Sequence, residues 1–203
     1  MQSQKQENST YLTISMITIG IVLNMALGTI VSFTKLPIFV DSIGTIFITL
    51  VLGWRAGAIV GVSSFALMSI VVNPVYIYFV GTQLVIATYV YFIAYKLKAL
   101  RNIWFLVAAG IGLGVVAAVA SAPVIVYVFG GVAGSGRDLI TAVLMNSGTQ
   151  VVKAVLLSGA ASEPIDKTIQ LVLACLLVRN APNIMLSRLS SSAVLQNKFF
   201  RKG

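Results

Sequence analysis

Six apolar stretches, at 11–32, 39–53, 56–72, 75–95, 103–129 and 165–187, constrain this chain more than any other feature. A polypeptide in hydrocarbon must satisfy its own backbone hydrogen bonds, so runs of this length read as helices. The stretches leave little else: 58% of the 203 residues are hydrophobic and 9% are charged, against roughly 25% charged in an ordinary soluble domain. The expected class is an all-α membrane protein with six transmembrane helices in a single domain. The first stretch is too long for a signal-peptide core and lacks a small-residue cleavage pattern, so it reads as a retained helix. The second and third are short for a span.

The breaks between the runs have local causes. Pro37 follows the first, Trp54 and Arg55 sit in a turn beside Gly53, and Asn73-Pro74 stops the third. A basic loop covers 96–101, and Gly130, Gly131, Gly134 and Gly136 end the fifth run. The region 139–159 is apolar but interrupted by Asn146, Ser147, Gly148, Gln150 and Lys153.

Charge decides how to treat that region. With six spans and the N-terminus inside, Lys5, Arg55, Lys96, Lys98, Arg101, Arg179, Arg188, Lys198, Arg201 and Lys202 are cytoplasmic, and Lys35, Arg137, Lys153 and Lys167 are not. A seventh span would reverse this positive-inside bias. The expected organisation is therefore a cytoplasmic tail at 1–10, a membrane domain at 11–188 with an outer loop or hairpin at 130–163, and a basic cytoplasmic tail at 189–203. The location is a cell membrane, with both termini cytoplasmic. The net charge of +9 follows from this topology, and no nucleic-acid partner is expected.

Chemistry-bearing residues are scarce. The chain has no His, and its one cysteine, Cys175, lies in an apolar run. The segment Gly134-Ser135-Gly136-Arg137 lacks the Gly-Lys-Ser/Thr of a phosphate-binding loop. No catalytic triad or metal-ligand spacing is found. The reading is a non-enzyme with no cofactor and no metal.

Asp41, Asp138, Glu163 and Asp166 all fall on the outer side of this topology and balance the four basic groups there. Such a surface suits a neutral or zwitterionic ligand, although topology alone also produces it. Asp41 reads either as a carboxylate favoured by a helix N-terminus or as a ligand contact. Asp166, after Pro164 and before Lys167, reads as a helix start. Asn24, Asn73, Gln83, Asn146 and Gln150 are candidate binding residues or interhelical glue, and Tyr76 could stack on a flat ring. Gly53, Gly57 and Gly61 recur every four residues, as do Gly110 and Gly114, which marks close helix packing or a partner contact.

Several of these segments resemble one family. The segment 36–45, Leu-Pro-Ile-Phe-Val-Asp-Ser-Ile-Gly-Thr, the segment 53–61, Gly-Trp-Arg-Ala-Gly-Ala-Ile-Val-Gly, and Glu163-Pro164-Ile165-Asp166-Lys167 with Ala181-Pro182 resemble the substrate-binding S components of energy-coupling factor (ECF) transporters. The likeness runs from the first helix to about Arg188. It implies a six-helix bundle that captures a vitamin outside the cell, in a pocket formed by helix ends and the loops after helices one, three and five. It also implies a membrane scaffold subunit and two cytoplasmic ATPases as partners. In the family, small residues spaced by four in the first helix often make the scaffold contact; here the spacing reads Met16, Gly20, Asn24, and only Gly20 is small. Cobalamin is the first expectation for substrate, because the glycine-rich segment 130–162 could enclose something bulky. The alternative is a stand-alone, proton-coupled secondary transporter of a small neutral metabolite. It needs midplane ionisable groups, and the spans as assigned contain none.

Overall fold

The computed structural model describes residues 2–34, 36–97 and 103–181, and side chains from Thr10 onward. Every regular element among them is helical. The basic tail at 189–203, the loop residues Lys35, Lys98 and Arg101, and Pro182 of the family-like motif lie outside the described residues.

Helix α1 (Gln2–Thr34) continues through most of the expected N-terminal tail. Helix α2 (Ile43–Leu52) is buried at every position from Ile43 to Val51 and packs against α1, α3 (Trp54–Val71), α4 (Val80–Tyr91) and α7 (Val151–Asn180). An apolar helix with no polar face belongs at the centre of a bundle. Ten residues reach only about 15 Å, so α2 alone is half a bilayer core. The sequence reading began this helix at Phe39; the structure begins it at Ile43, after a non-helical segment at 36–42. That segment escapes the helical state because side chains of α7 satisfy its N–H groups, as described below.

One residue, Gly53, joins α2 to α3 with φ +90°, a conformation that side-chain-bearing residues rarely adopt. The glycine spacing then lets α3 approach its neighbours closely. A Cβ on Gly57 would collide with the Thr49 hydroxyl, and one on Gly61 would lie 2.8 Å from Gln83 Cβ. On α1, a Cβ on Gly20 would lie 2.6 Å from Ile48. Gly20, Gly57 and Gly61 are thus used for packing inside the chain.

After α3, a 3-10 turn (Pro74–Phe79) leads into α4, which widens into a π-helical turn (Phe92–Lys96). Asn73 caps the 3-10 turn by accepting the Val75 N–H at 3.0 Å, and Pro74 occupies the first position.

Helix α5 (Ile103–Tyr127) and α7 run antiparallel along their lengths. Gly110 lies against Thr168, Gly114 against the backbone of Pro164, and Ala118 against Gly159. The sequence reading started the last helix at Ile165, just after Pro164. In the structure α7 begins at Val151 and runs straight through that proline. Short α6 (Asp138–Asn146) precedes it, tied to α7 by the Thr141 hydroxyl donating to Ser158 at 2.7 Å. Consequently Glu163, Asp166 and Lys167 lie near the middle of a 30-residue helix, not at a helix start.

Among the described residues, four stretches are long and apolar enough to cross a membrane: Thr10–Thr34, Trp54–Val71, Pro74–Lys96 and Ile103–Tyr127. Helix α7 is longer than any but α1, yet carries three charges in its central turns.

Candidate functional site

A cavity of about 580 Å³ lies at one end of the bundle. Its walls come from the end of α1, the segment 36–41, the end of α3 and the 3-10 turn, the start of α4, the latter part of α5, the loop 133–137 and the middle of α7. Aromatic and aliphatic side chains form most of the wall, including Phe33, Phe39, Phe65, Tyr76 and Phe79. Phe65 and Tyr76 meet edge to face with centroids 5.4 Å apart, an arrangement favoured by their ring quadrupoles. Asp41, Arg137, Glu163 and Lys167 form a charged pole.

The charged pole is built on one face of α7, where residues three and four apart stack. Asp166 Oδ1 accepts the N–H groups of Phe39 at 3.0 Å and Val40 at 3.1 Å. Its Oδ2 accepts from Lys167 Nζ and Gln170 Nε2, both at 2.7 Å. Gln170 Oε1 takes the Ser42 N–H at 2.8 Å. These bonds clamp 39–42 onto α7 and hold Val40 at φ +52°, a genuine strain for a β-branched residue. The clamp brings Asp41 to Lys167 Nζ at 3.4 Å, and the ammonium lies 5.7 Å from the Phe39 ring centroid.

Arg137 arrives from the loop before α6. Gly134, at φ +88°, starts a turn that Asp138 closes by accepting the Ser135 N–H at 2.7 Å and hydroxyl at 2.9 Å. This turn points Arg137 inward over Gly159, where a Cβ would stand 3.2 Å from Nη1. Nη1 donates to Glu163 Oε1 at 3.1 Å, while Nη2 and Glu163 Oε2 are buried without a hydrogen bond. The Lys167 ammonium reaches no nearer than 3.7 Å to that Oε2. Burial pushes the Arg137 guanidinium below its usual pKa, and Glu163 and then Asp138 pull it back up.

Of the candidate binding residues, Asp41, Asn73, Tyr76 and Gln83 line the cavity. Asn24 is buried behind it. Its Oδ1 accepts the Gly44 N–H at 2.7 Å, and its Nδ2 donates to Thr45 Oγ1 at 2.8 Å and Ser64 Oγ at 3.1 Å. Thr45 donates onward to Gln83 Oε1 at 2.9 Å, Gln83 Nε2 to Ser42 Oγ at 2.8 Å, and Ser42 Oγ to Asp41 at 2.8 Å. This chain of bonds ends on the Asp41 carboxylate. Asn146 and Gln150 flank the exposed α6–α7 connection and line no part of the cavity. Sequence reasoning missed Arg137, Glu163 and Lys167 as cavity residues. The signal was the fourfold spacing Gly159, Glu163, Lys167, hidden by reading Pro164 as a helix start.

No protein-family model, curated protein or solved structure matches this chain.

Proposed function

We propose that this chain is the substrate-capturing membrane subunit of an ATP-driven importer of the ECF type, taking up a vitamin-sized molecule. The observation that carries this reading is the enclosure of one cavity by the segments that follow α1, α3 and α5. Connecting segments around an apolar, aromatic pocket with a few convergent polar groups are what ligand capture needs. The sequence likeness to S components calls for a pocket built from those connections. ATP hydrolysis would fall to the partner ATPases, docked through a scaffold subunit, since the chain carries no Gly-Lys-Ser/Thr phosphate loop.

In this reading six segments cross the bilayer. To the four apolar helices are added α7, whose charges are turned into the protein, and α2, lengthened by the clamped segment before it. Arg55, Lys96 and Arg179 lie at helix ends away from the cavity, and by the positive-inside rule this reading takes those ends as cytoplasmic and the cavity mouth as outside. Cysteines introduced singly at Ser147 and Arg55, in a Cys175→Ala background, test this. A membrane-impermeant thiol reagent should label only position 147 in intact cells.

The volume narrows the substrate. About 580 Å³ falls within the usual range for drug-sized ligands, so a compact ring-bearing vitamin fits the cavity as it stands. Cobalamin, the expectation from the glycine-rich segment, is a much bulkier ligand than this volume suits.

One observation favours the secondary-transporter alternative. Glu163, Asp166 and Lys167 lie at mid-helix, and ionisable groups at such depth often couple ion gradients. Purified chain in lipid vesicles separates the readings. Binding of a vitamin without accumulation, with uptake restored by a scaffold, two ATPases and ATP, is the expected outcome. Concentrative uptake by the chain alone under a proton gradient would sink the importer reading.

A further inference from the structure

Taking the cavity as the ligand site proposed above, we infer that it recognises the amide edge of a neutral ring, an N–H beside a C=O as in a lactam or ureide. The inference rests on what the charged pole leaves unmade. Arg137 and Glu163 are joined by a single hydrogen bond, Nη1 to Oε1 at 3.1 Å, rather than by the two-bond fork that guanidinium and carboxylate ordinarily form. Their side chains are 1% and 7% exposed. One donor, Nη2, and one acceptor, Oε2, therefore remain buried without a hydrogen bond on two residues of the cavity wall, with the Lys167 ammonium 3.7 Å from Oε2, beyond hydrogen-bond reach. Buried polar atoms of native proteins nearly always have partners, and an orphan pair at a cavity points to what the cavity receives.

Three classes of ligand can be weighed against that pair. A carboxylate or phosphate would pair with Nη2, but would bring negative charge beside Glu163 and Asp41 and leave Oε2 unmet. An ammonium or amidinium would pair with Oε2, but would face the Arg137 and Lys167 cations and leave Nη2 unmet. A neutral group carrying donor and acceptor side by side satisfies both, its N–H going to Oε2 and its C=O accepting from Nη2. The other charges of the pole are already engaged: Lys167 is held by Asp166 at 2.7 Å and Asp41 at 3.4 Å and lies 3.7 Å from Glu163 Oε2, and all four contacts of Asp166 are internal. The aromatic wall of Phe39, Tyr76 and Phe79 suits the flat ring to which such an edge belongs.

The test uses purified full-length chain in lipid nanodiscs and direct binding measurements. Hypoxanthine and riboflavin supply ring amide edges, and each is compared with its analogue methylated at the amide nitrogen. Benzoate and benzylamine supply a ring with an anion and a ring with a cation. At least one lactam should bind more tightly than both charged rings, and its N-methyl analogue should bind at least about tenfold more weakly, because methylation leaves the carboxylate oxygen unpaired. In the Arg137→Met/Glu163→Leu double variant that ratio should fall to about one. A ratio is independent of how much of the variant is folded. Tighter binding of benzoate or benzylamine, equal binding of parent and methylated lactams, no binding of either lactam, or a ratio unchanged in the double variant would each overturn the assignment. Ligand capture as such is decided by the vesicle assay, so the two readings can fail separately.

Discussion

Two buried polar networks lie within a few residues of each other, and they are finished to different degrees. The one centred on Asn24 is neutral up to the point where Ser42 joins it to Asp41, and its members answer one another: Asn24, Thr45, Ser64 and Gln83 are joined side chain to side chain at 2.8–3.1 Å. The one centred on Glu163 is ionic, and it leaves Arg137 Nη2 and Glu163 Oε2 without hydrogen bonds. A satisfied neutral network fixes how helices sit against each other. An unfinished charged one, facing a cavity, is costly unless something completes it. The contrast separates glue from site within one bundle, and it moves Asn24 from the candidate ligand contacts to the scaffold behind them.

The largest expected effect falls on the scaffold. Gly57→Leu would place a side chain where the Thr49 hydroxyl lies, forcing α3 away from α2 and pulling Thr45 and Ser64 from Asn24. Overpacking of this kind costs about 3 kcal/mol or more when the backbone has to shift. Ser63→Leu, at a partly exposed position of the same helix, should change stability by no more than about 0.5 kcal/mol. Thermal unfolding in detergent, followed by loss of the monodisperse peak, compares them. Equal behaviour would show that the glycine seam carries no close contact.

Next in size is Asn24→Leu. It removes the acceptor for the Gly44 N–H and the donor to Thr45 and Ser64, leaving a backbone N–H that no side-chain change can delete. The expected loss is about 1–3 kcal/mol, with ligand affinity altered only through that loss. If Asn24→Leu abolished binding while leaving the melting temperature intact, the division between glue and site would be wrong.

How far the sequence reveals this arrangement depends on the kind of signal. Helical class and the glycine packing were legible, because apolar run length and fourfold spacing act locally: Gly57 and Gly61 do face other helices. Asp41, Asn73, Tyr76 and Gln83 were legible as polar or aromatic groups near helix ends, and all four reach the cavity. The course of α7 was not. Pro164 carries the local signature of a helix start, whereas in the structure the helix is continuous through it and α5 packs closely across it at Gly114. With that helix misplaced, Glu163 and Lys167 read as terminal charges rather than as neighbours of Arg137 and Asp41, residues more than 25 positions away in the chain. The segment 36–42 was hidden for the same reason. Its apolar composition suggests helix, and the groups that free it from helix, Asp166 and Gln170, lie about 130 residues downstream.

Among changes to buried residues, the smallest expected effect on stability comes from the deepest-looking alteration. In Arg137→Met/Glu163→Leu both members of the buried ion pair become apolar at similar volume. Removing either alone would strand a charge in the interior, which costs about 3–5 kcal/mol. Removing both deletes the two desolvation penalties with the one hydrogen bond that offsets them, and also deletes both orphaned atoms. Lys167 keeps Asp166 at 2.7 Å and Asp41 at 3.4 Å, so no charge is stranded. The double variant should therefore unfold within about 1 kcal/mol of the parent, or above it. The matching pair in the other network, Asn24→Leu/Thr45→Val, gains no such relief, because the Gly44 N–H stays buried beneath it. Melting temperatures of the two double variants, measured without ligand, give the sharpest form of the comparison. If the ionic double variant proves the less stable of the two, the charged pole is part of the scaffold, and its unpaired atoms are no measure of a ligand.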